Sequence, residues 1–331
     1  MLENIFSSRV GTKIILEIGR KPYKEFYLYE LSKSLKIGMG RSSTLLENFT
    51  KKNVLKSRKG GKTILYRLNK NNPLSSEIIR FAHLDSFLKM PERFRTSISR
   101  FTKRYEELQG ENVVSIIIFG SVAKNKAKAW SDIDILVIVK KWPNEKTRKK
   151  LHDVFSEISE VFSQLSEEHM YTERQFSEGY DIGDDFLINV MKDGIIILDK
   201  GNFFIEHLIR GLPEVTKKAI EKRLDIAKEF IDNAIEIYKK MPDSTASMLG
   251  LISIHLSRAV LLLNDTQPGS KYEIPKQLGS VGESKFERVY KKTRKWFDES
   301  PFETDKEDVW KTLNFLKEKY NEYSRKIEAW S

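Results

Sequence analysis

The sequence predicts an α+β multidomain protein: a small basic head, a central α/β sheet module and a C-terminal bundle of helices. Three observations predict it. The net charge of +11 over 331 residues is concentrated at one end: residues 1–72 hold 16 Lys/Arg against 5 Glu and no Asp, and the rest of the chain sums to zero. Between residues 112 and 198, apolar runs of strand length alternate with helix-period segments, as in a sheet covered by helices. Beyond residue 200 only helix-period segments with short breaks remain, which suits antiparallel packing in a bundle. The expected divisions are 1–72, a linking helical stretch over 73–108, 109–200 and 201–331.

With 40% hydrophobic and 32% charged residues, the composition is that of a globular protein with real cores. The chain has no cysteine, which excludes a disulfide scaffold and thiolate metal sites and fits a reducing, cytoplasmic setting. No signal-peptide pattern opens it: Glu3 comes early and no apolar run follows. The most apolar stretch, 248–264, is interrupted by Ser253, His255, Ser257 and Arg258 and reads as a buried helix, so no membrane is expected.

In the head, residues 12–19 carry Ile14, Ile15, Leu16 and Ile18, and residues 26–35 carry Leu28, Leu31 and Leu35 at helical spacing. A turn at Gly38-Met39-Gly40 leads into a third helix over 41–52, with Ser42 and Ser43 as cap candidates. Gly60-Gly61 between the strand-like runs 54–57 and 63–68 signals a hairpin. Three helices and a basic hairpin resemble a winged helix-turn-helix. The resemblance implies duplex DNA as a partner. Arg41, Ser42, Ser43 and Thr44 would face the major groove, and Lys56, Arg58, Lys59 and Lys62 would face phosphates. A protein-interaction or homodimer role for the same module stays open, and RNA is not excluded.

The densest chemistry lies in the central module. A helix-like stretch over 74–101, broken at Pro91, precedes the apolar strand 112–119, which ends in Phe119-Gly120-Ser121. A short segment with Lys124, Lys126 and Lys128 follows, and a second apolar strand over 131–140 opens with Asp132-Ile133-Asp134. Residues two apart on a strand share a face, so Asp132 and Asp134 converge. Two carboxylates that close favour a cation between them, and Mg²⁺ takes one or two carboxylates together with substrate phosphates. Gly120 admits a phosphate close to the backbone, and Ser121 can donate to it. One constellation therefore offers a phosphate seat and a metal seat.

Gly-Ser, about ten residues, then Asp-x-Asp resembles the motif of the polymerase-β-like nucleotidyltransferases, the minimal nucleotidyltransferase group in particular. The resemblance implies Mg²⁺ (or Mn²⁺) held by Asp132 and Asp134 and an NTP as partner. It implies β/γ phosphates seated at Gly120 and Ser121, with Lys124 beside them, and a third carboxylate on a following strand. Glu168 is the best-placed candidate for that carboxylate, with Glu167 and Glu173 behind it. For Lys124, Lys126 and Lys128 an exposed basic loop is the plain reading, and pairing of one of them with the β or γ phosphate is the alternative. The expected order continues with a helix over 145–165, a strand near 168–172, a Gly-rich loop holding Asp181, Asp184 and Asp185, a helix near 186–191 and a strand over 194–198. For Asp184 or Asp185, capping of the helix from Phe186 is the plain reading.

The last third reads as helices over 213–241, 247–264, 284–297 and 305–329. It resembles the helical domains that accompany minimal nucleotidyltransferases, including the HEPN type. His207 and His255 lack an Arg four to six residues earlier, which argues against a HEPN ribonuclease. The leading expectation is transfer of a nucleoside monophosphate from an NTP to a hydroxyl acceptor by a chain with a DNA-binding head. The alternatives are a transcriptional regulator with an inactive catalytic fold, and an antitoxin-like protein that binds or modifies a protein partner.

Overall fold

Helix α1 (Arg9–Arg20) opens at Ser8, whose Oγ accepts the Gly11 amide at 3.3 Å. Its Ile14, Ile15 and Ile18 stripe is buried. The computed structural model describes residues 8–128, 131–162, 166–299 and 305–329, and the side chains of all of these except 152, 155–162, 166–168, 242 and 243. The expected helix over 26–35 divides. Phe26–Tyr27 form β1, paired antiparallel with β3 (Thr63–Leu68), and only Leu28–Leu35 are helical, as α2. Two adjacent aromatics beside an available strand prefer the sheet, which overrides the helical period. Helix α3 (Met39–Lys51) begins earlier than expected, with Gly38 at its N-cap. Strand β2 (Leu55–Gly60) meets β3 through the two-residue turn Gly61-Lys62, with Gly60 opposite Thr63 and Gly61 at φ 63°. The sheet order is β1-β3-β2.

Helices α4 (Ser75–Leu88) and α5 (Glu92–Gln109) separate at Pro91, as the sequence indicates. The second sheet comprises β4 (Val113–Phe119), β5 (Ile133–Val139), β6 (Ser166–Thr172) and β7 (Ile195–Asp199), in the order β6-β5-β4-β7. Its β5–β6 pair is parallel and joined through α7 (Glu145–Phe162); the other pairs are antiparallel. The four-residue α6 (Gly120–Ala123) follows β4. Strands β4 and β5 are buried along nearly their whole length, so they read as continuous apolar runs rather than alternating ones. Phe94, Ile98, Phe101 and Tyr105 of α5 pack in a core with Ile116, Ile118, Ile135 and Val137.

Helices α8 (Glu173–Ile182), α9 (Asp185–Asp193) and α10 (Phe203–Arg210) complete this part. Much of the stretch read as a Gly-rich loop is therefore helical. Phe176 is the reason: it is fully buried against Phe203, Phe204 and His207, with ring centroids 5.7, 5.6 and 5.1 Å away. The Asp199 carboxylate accepts from Ser115 Oγ at 2.6 Å and from the Phe204 and Ile205 amides at 3.0 Å each, satisfying the first turn of α10.

The contacts divide the chain into two compact units. One runs up to Glu178 and includes Ile188–Leu212; the other joins Gly179–Leu187 to the chain from Pro213 onward. The second unit contains α11 (Lys217–Tyr238), α12 (Pro242–Leu263), α13 (Ile274–Ser280), α14 (Ser284–Glu299) and α15 (Lys306–Glu328). Its core takes in Leu249, Ile252, Leu256 and Val260 of α12 together with Leu224, Ile231, Tyr290 and Leu316. Ser244–Leu263 is long and apolar enough to cross a membrane by composition, but 61% of that stretch is buried inside the protein. In the same unit Asp184 caps the Phe186 amide at 2.9 Å. It also pairs with Lys222 at 2.6 Å, and Asp185 pairs with Arg223 at 2.6 Å and with Arg258. Burial opposes ionisation of Asp185, yet the two guanidinium groups hold its carboxyl below the usual range.

Edge strand β7 is covered by α4: the Ile196 amide donates to His83 Nδ1 at 3.2 Å. Burial, helped by the charge of Arg20, pushes the His83 imidazole down to about 3. The folded protein thus keeps His83 neutral, whereas the unfolded chain protonates it near its ordinary value of 6.5. Below that value the unfolded state binds more protons, so this contribution is whole above about pH 6.5 and is lost as pH falls toward 3. We expect denaturation midpoints of the wild type to fall from pH 7 to pH 4.5 more steeply than those of His83→Gln. Parallel pH profiles would contradict this assignment.

Candidate functional site

The candidate site forms where β4 turns into α6 beside the start of β5. Phe119 lies opposite Asp134 in the antiparallel ladder. Gly120 follows at φ 70°, a conformation that disfavours any side chain. A Cβ at Gly120 would stand 1.7 Å from Asp134 Oδ2 and 2.7 Å from its Cγ. The Asp134 carboxylate thus rests directly against the Gly120 backbone. The sequence reading assigned Gly120's bareness to phosphate approach; its immediate cause is Asp134. Asp134 is the second residue of β5 and Asp132 immediately precedes the strand; both are half-buried and flank the buried Ile133.

Ser121 is half-buried in α6, and its carbonyl accepts the Lys126 amide at 2.9 Å. Lys124 is committed to an ion pair with Asp193 at 2.8 Å, a partner the sequence reading did not foresee. Lys126 and Lys128 are exposed. The Lys128 backbone is tied to Ser131, with the Lys128 amide donating to Ser131 Oγ at 2.7 Å. Residues 129–130, including Trp130, lie outside the described residues.

In the parallel β5–β6 register Asp134 stands opposite Glu167, and Glu168, the expected third carboxylate, stands opposite Ile135; the side chains of both glutamates lie outside those described. His169, one position further on and opposite Leu136, returns to the Asp134 face. Its ring lies 5.5 Å from that of Phe119, itself the ladder partner of Asp134. His169 is the group missed from sequence; counting by twos from Asp134 across the sheet would have found it had the register been known. Among the described residues no group of three His, Cys, Asp or Glu could hold a metal ion. The Asp132–Asp134 pair nonetheless fits Mg²⁺, which needs only one or two carboxylates when substrate phosphates supply the remainder.

In the head, Ser42 is corrected outright. It is fully buried, and its Oγ donates to the Gly38 carbonyl at 2.9 Å, so it faces the core and cannot meet a base. Arg41 and Thr44 are exposed, and Ser43 is half-buried with its Oγ on Glu47 at 3.1 Å. Lys56, Lys59 and Lys62 are exposed on the hairpin. Arg58 is also exposed, but Glu25 holds it through Nε at 2.8 and 3.1 Å and through Nη2. Its charge is therefore countered, and it is a poorer phosphate contact than its neighbours.

Comparison with known proteins bears on the central part. Residues 98–243 match the nucleotidyltransferase domain family, a stretch that takes in β4, β5 and the site. A candidate protein adenylyltransferase of Methanocaldococcus jannaschii is 37% identical over 70 residues, which is 21% of this chain and 46% of that protein. The chain thus spans about half the length of this curated relative. The structure of spectinomycin adenyltransferase AAD(9) from Enterococcus faecialis, with ATP and spectinomycin, overlaps 68% of this chain and 98% of its own at 18% identity, with a TM-score of 0.42. The family match covers less than half of the chain and includes the Gly120 turn and the Asp132–Asp134 segment.

Gly120→Ala should cost on the order of 1–3 kcal/mol in chemical denaturation, because it adds a Cβ at positive φ against Asp134. Combining it with Asp134→Gly should recover the steric part. A Gly120→Ala protein as stable as the wild type would contradict the apposition.

Proposed function

We propose that the protein is a Mg²⁺-dependent nucleotidyltransferase that moves the nucleoside monophosphate of an NTP to a hydroxyl acceptor and releases pyrophosphate. We further propose that its head is a winged helix that binds duplex DNA. The observation that carries the catalytic reading is the Asp134 carboxylate resting on Gly120, inside the segment that matches the nucleotidyltransferase family. The name of the Methanocaldococcus relative favours ATP as donor and a protein hydroxyl as acceptor. In the reaction the acceptor oxygen bonds to the α-phosphorus while the bond to the β-phosphate oxygen breaks. Gly120 lets the Asp134 carboxylate sit against the turn, and Ser121 donates to the phosphates. Asp132 and Asp134 would hold the metal. Mg²⁺ (or Mn²⁺), when bound, supplies charge neutralisation on the phosphate oxygens. His169, on the face of Asp134, receives the acceptor proton in place of the expected Glu168. The remainder of the rate comes from holding acceptor and phosphorus in line.

A second reading is a DNA-bound regulator whose catalytic fold only senses nucleotide; among the described residues no group of three His, Cys, Asp or Glu could hold a metal ion. Turnover separates the two. The full chain, incubated with each α-labelled NTP, Mg²⁺ and a cell extract, should transfer label to a macromolecule. Asp132→Asn should abolish transfer. His169→Gln should slow it by about 10²–10⁴-fold while leaving the thermal shift with Mg²⁺ and NTP intact. No transfer from any NTP would favour the sensor, and an unimpaired His169→Gln protein would remove His169 from the reaction.

A further inference from the structure

The short helix α6, which carries Gly120 and Ser121, is tied to the head. Three of its four carbonyls are taken locally: Gly120 accepts the Lys124 amide at 3.2 Å, Ser121 the Lys126 amide at 2.9 Å and Val122 the Asn125 amide at 3.1 Å. The fourth, on the buried Ala123, accepts from Arg20 Nη2 at 3.4 Å, across 103 positions of sequence. The last carbonyls of a helix need partners from outside it, and a cation suits that end of the helix dipole. Arg20 therefore completes the turn.

Arg20 is the last residue of α1, and α1 is firmly seated. Its Ile14, Ile15 and Ile18 are buried. Gly19 lies so close to α4 that a Cβ there would stand 2.9 Å from Ile78 Cγ2 and 3.2 Å from Ala82 Cβ. Helix α4 covers β7, and β7 pairs with β4, the strand that ends at the turn. The guanidinium thus reaches α6 from a helix packed onto the same body.

A second tether lies close by. Tyr23 Oη donates to the Lys192 carbonyl at 3.0 Å. The next residue, Asp193, pairs with Lys124, which directly follows α6, at 2.8 Å. Burial, together with the charge of Asp193, pushes the Tyr23 hydroxyl above its ordinary range, and Arg20 opposes the shift. Tyr23 therefore remains a donor at neutral pH, beside both Asp193 and Arg20. All of these residues belong to the first unit.

We propose that Arg20 and Tyr23 are positioning residues for the nucleotide, so that tight binding of the triphosphate requires the head. The proposal rests on the nucleotidyltransferase reading of the site. Arg20 fixes the end of α6 and with it the Ser121 hydroxyl. Tyr23 fixes the end of α9, whose Asp193 sets Lys124. Donors held in place before the ligand arrives lose less freedom on binding, which raises affinity. The head then serves the site whether or not it holds nucleic acid.

The test is calorimetric titration of ATP with Mg²⁺ into the full chain, with melting temperatures measured in parallel. Arg20→Ala should weaken binding by about tenfold and Tyr23→Phe by roughly threefold, the loss expected for one hydrogen bond to the turn. Arg20→Lys keeps a cationic donor and should recover most of the affinity. Ile18→Val thins the core beneath the same helix; it should lower the melting temperature and leave the affinity unchanged. If Arg20→Ala does not fold, Tyr23→Phe decides: weaker binding supports the proposal and wild-type affinity overturns it. Wild-type affinity in Arg20→Ala, with binding lost in Asp134→Asn, overturns the proposal and leaves the nucleotide site standing. Equal losses in Arg20→Ala, Arg20→Lys and Ile18→Val would reduce the contact to a structural one and overturn it as well. If the wild type binds no ATP, the nucleotidyltransferase reading fails and the proposal with it.

Discussion

The site depends on one close approach, the carboxylate of Asp134 against the bare backbone of Gly120. Gly120 accepts positive φ because it lacks a Cβ, and that same gap receives the Asp134 side chain. The ladder pairing of Phe119 with Asp134 fixes the relation between turn and strand. The Gly120 turn and the start of β5 are therefore one structural unit, although Gly-Ser and Asp-x-Asp look like independent motifs in the chain.

Around this centre, charges divide into those that hold structure and those left for ligands. Asp184 and Asp185 are almost fully buried, and Lys222, Arg223 and Arg258 surround them within the second unit. Breaking such a pair strands a buried charge, so these residues belong to the scaffold. Arg58 with Glu25, and Lys124 with Asp193, are more solvent-accessible counterparts that cost less to separate. Lys56, Lys59 and Lys62 have no such partners among the described residues. The basic excess of the head is thus carried by particular side chains.

Much of this architecture was legible in the chain because local rules and tertiary demands agreed. The apolar runs around Ile117 and Val137, the break at Pro91 and the turn at Gly61 each lie where pattern and turn chemistry point. The misreadings arose where a distant partner decided the outcome. Tyr66 pulls Phe26 into a strand, and Phe203 and Phe204 draw Phe176 and its neighbours into a helix. Ser42 looked like a cap and a base reader, but its hydroxyl turns back to Gly38 inside the helix. Register was the least accessible quantity. A shift of one residue in β6 decides whether His169 falls on the Asp134 face, and no local signal in the strand sets that shift.

The central claim is that Asp134 serves the Gly120 turn by its shape and a metal–nucleotide ligand by its charge. Asp134→Asn separates the two, since it keeps the side chain's size and removes the charge. Calorimetric titration of ATP with Mg²⁺ into the wild type and this variant is the most direct measurement. The account predicts an unchanged melting temperature in the free variant and a loss of metal-dependent nucleotide binding. Binding to the variant with wild-type affinity and metal dependence would contradict it.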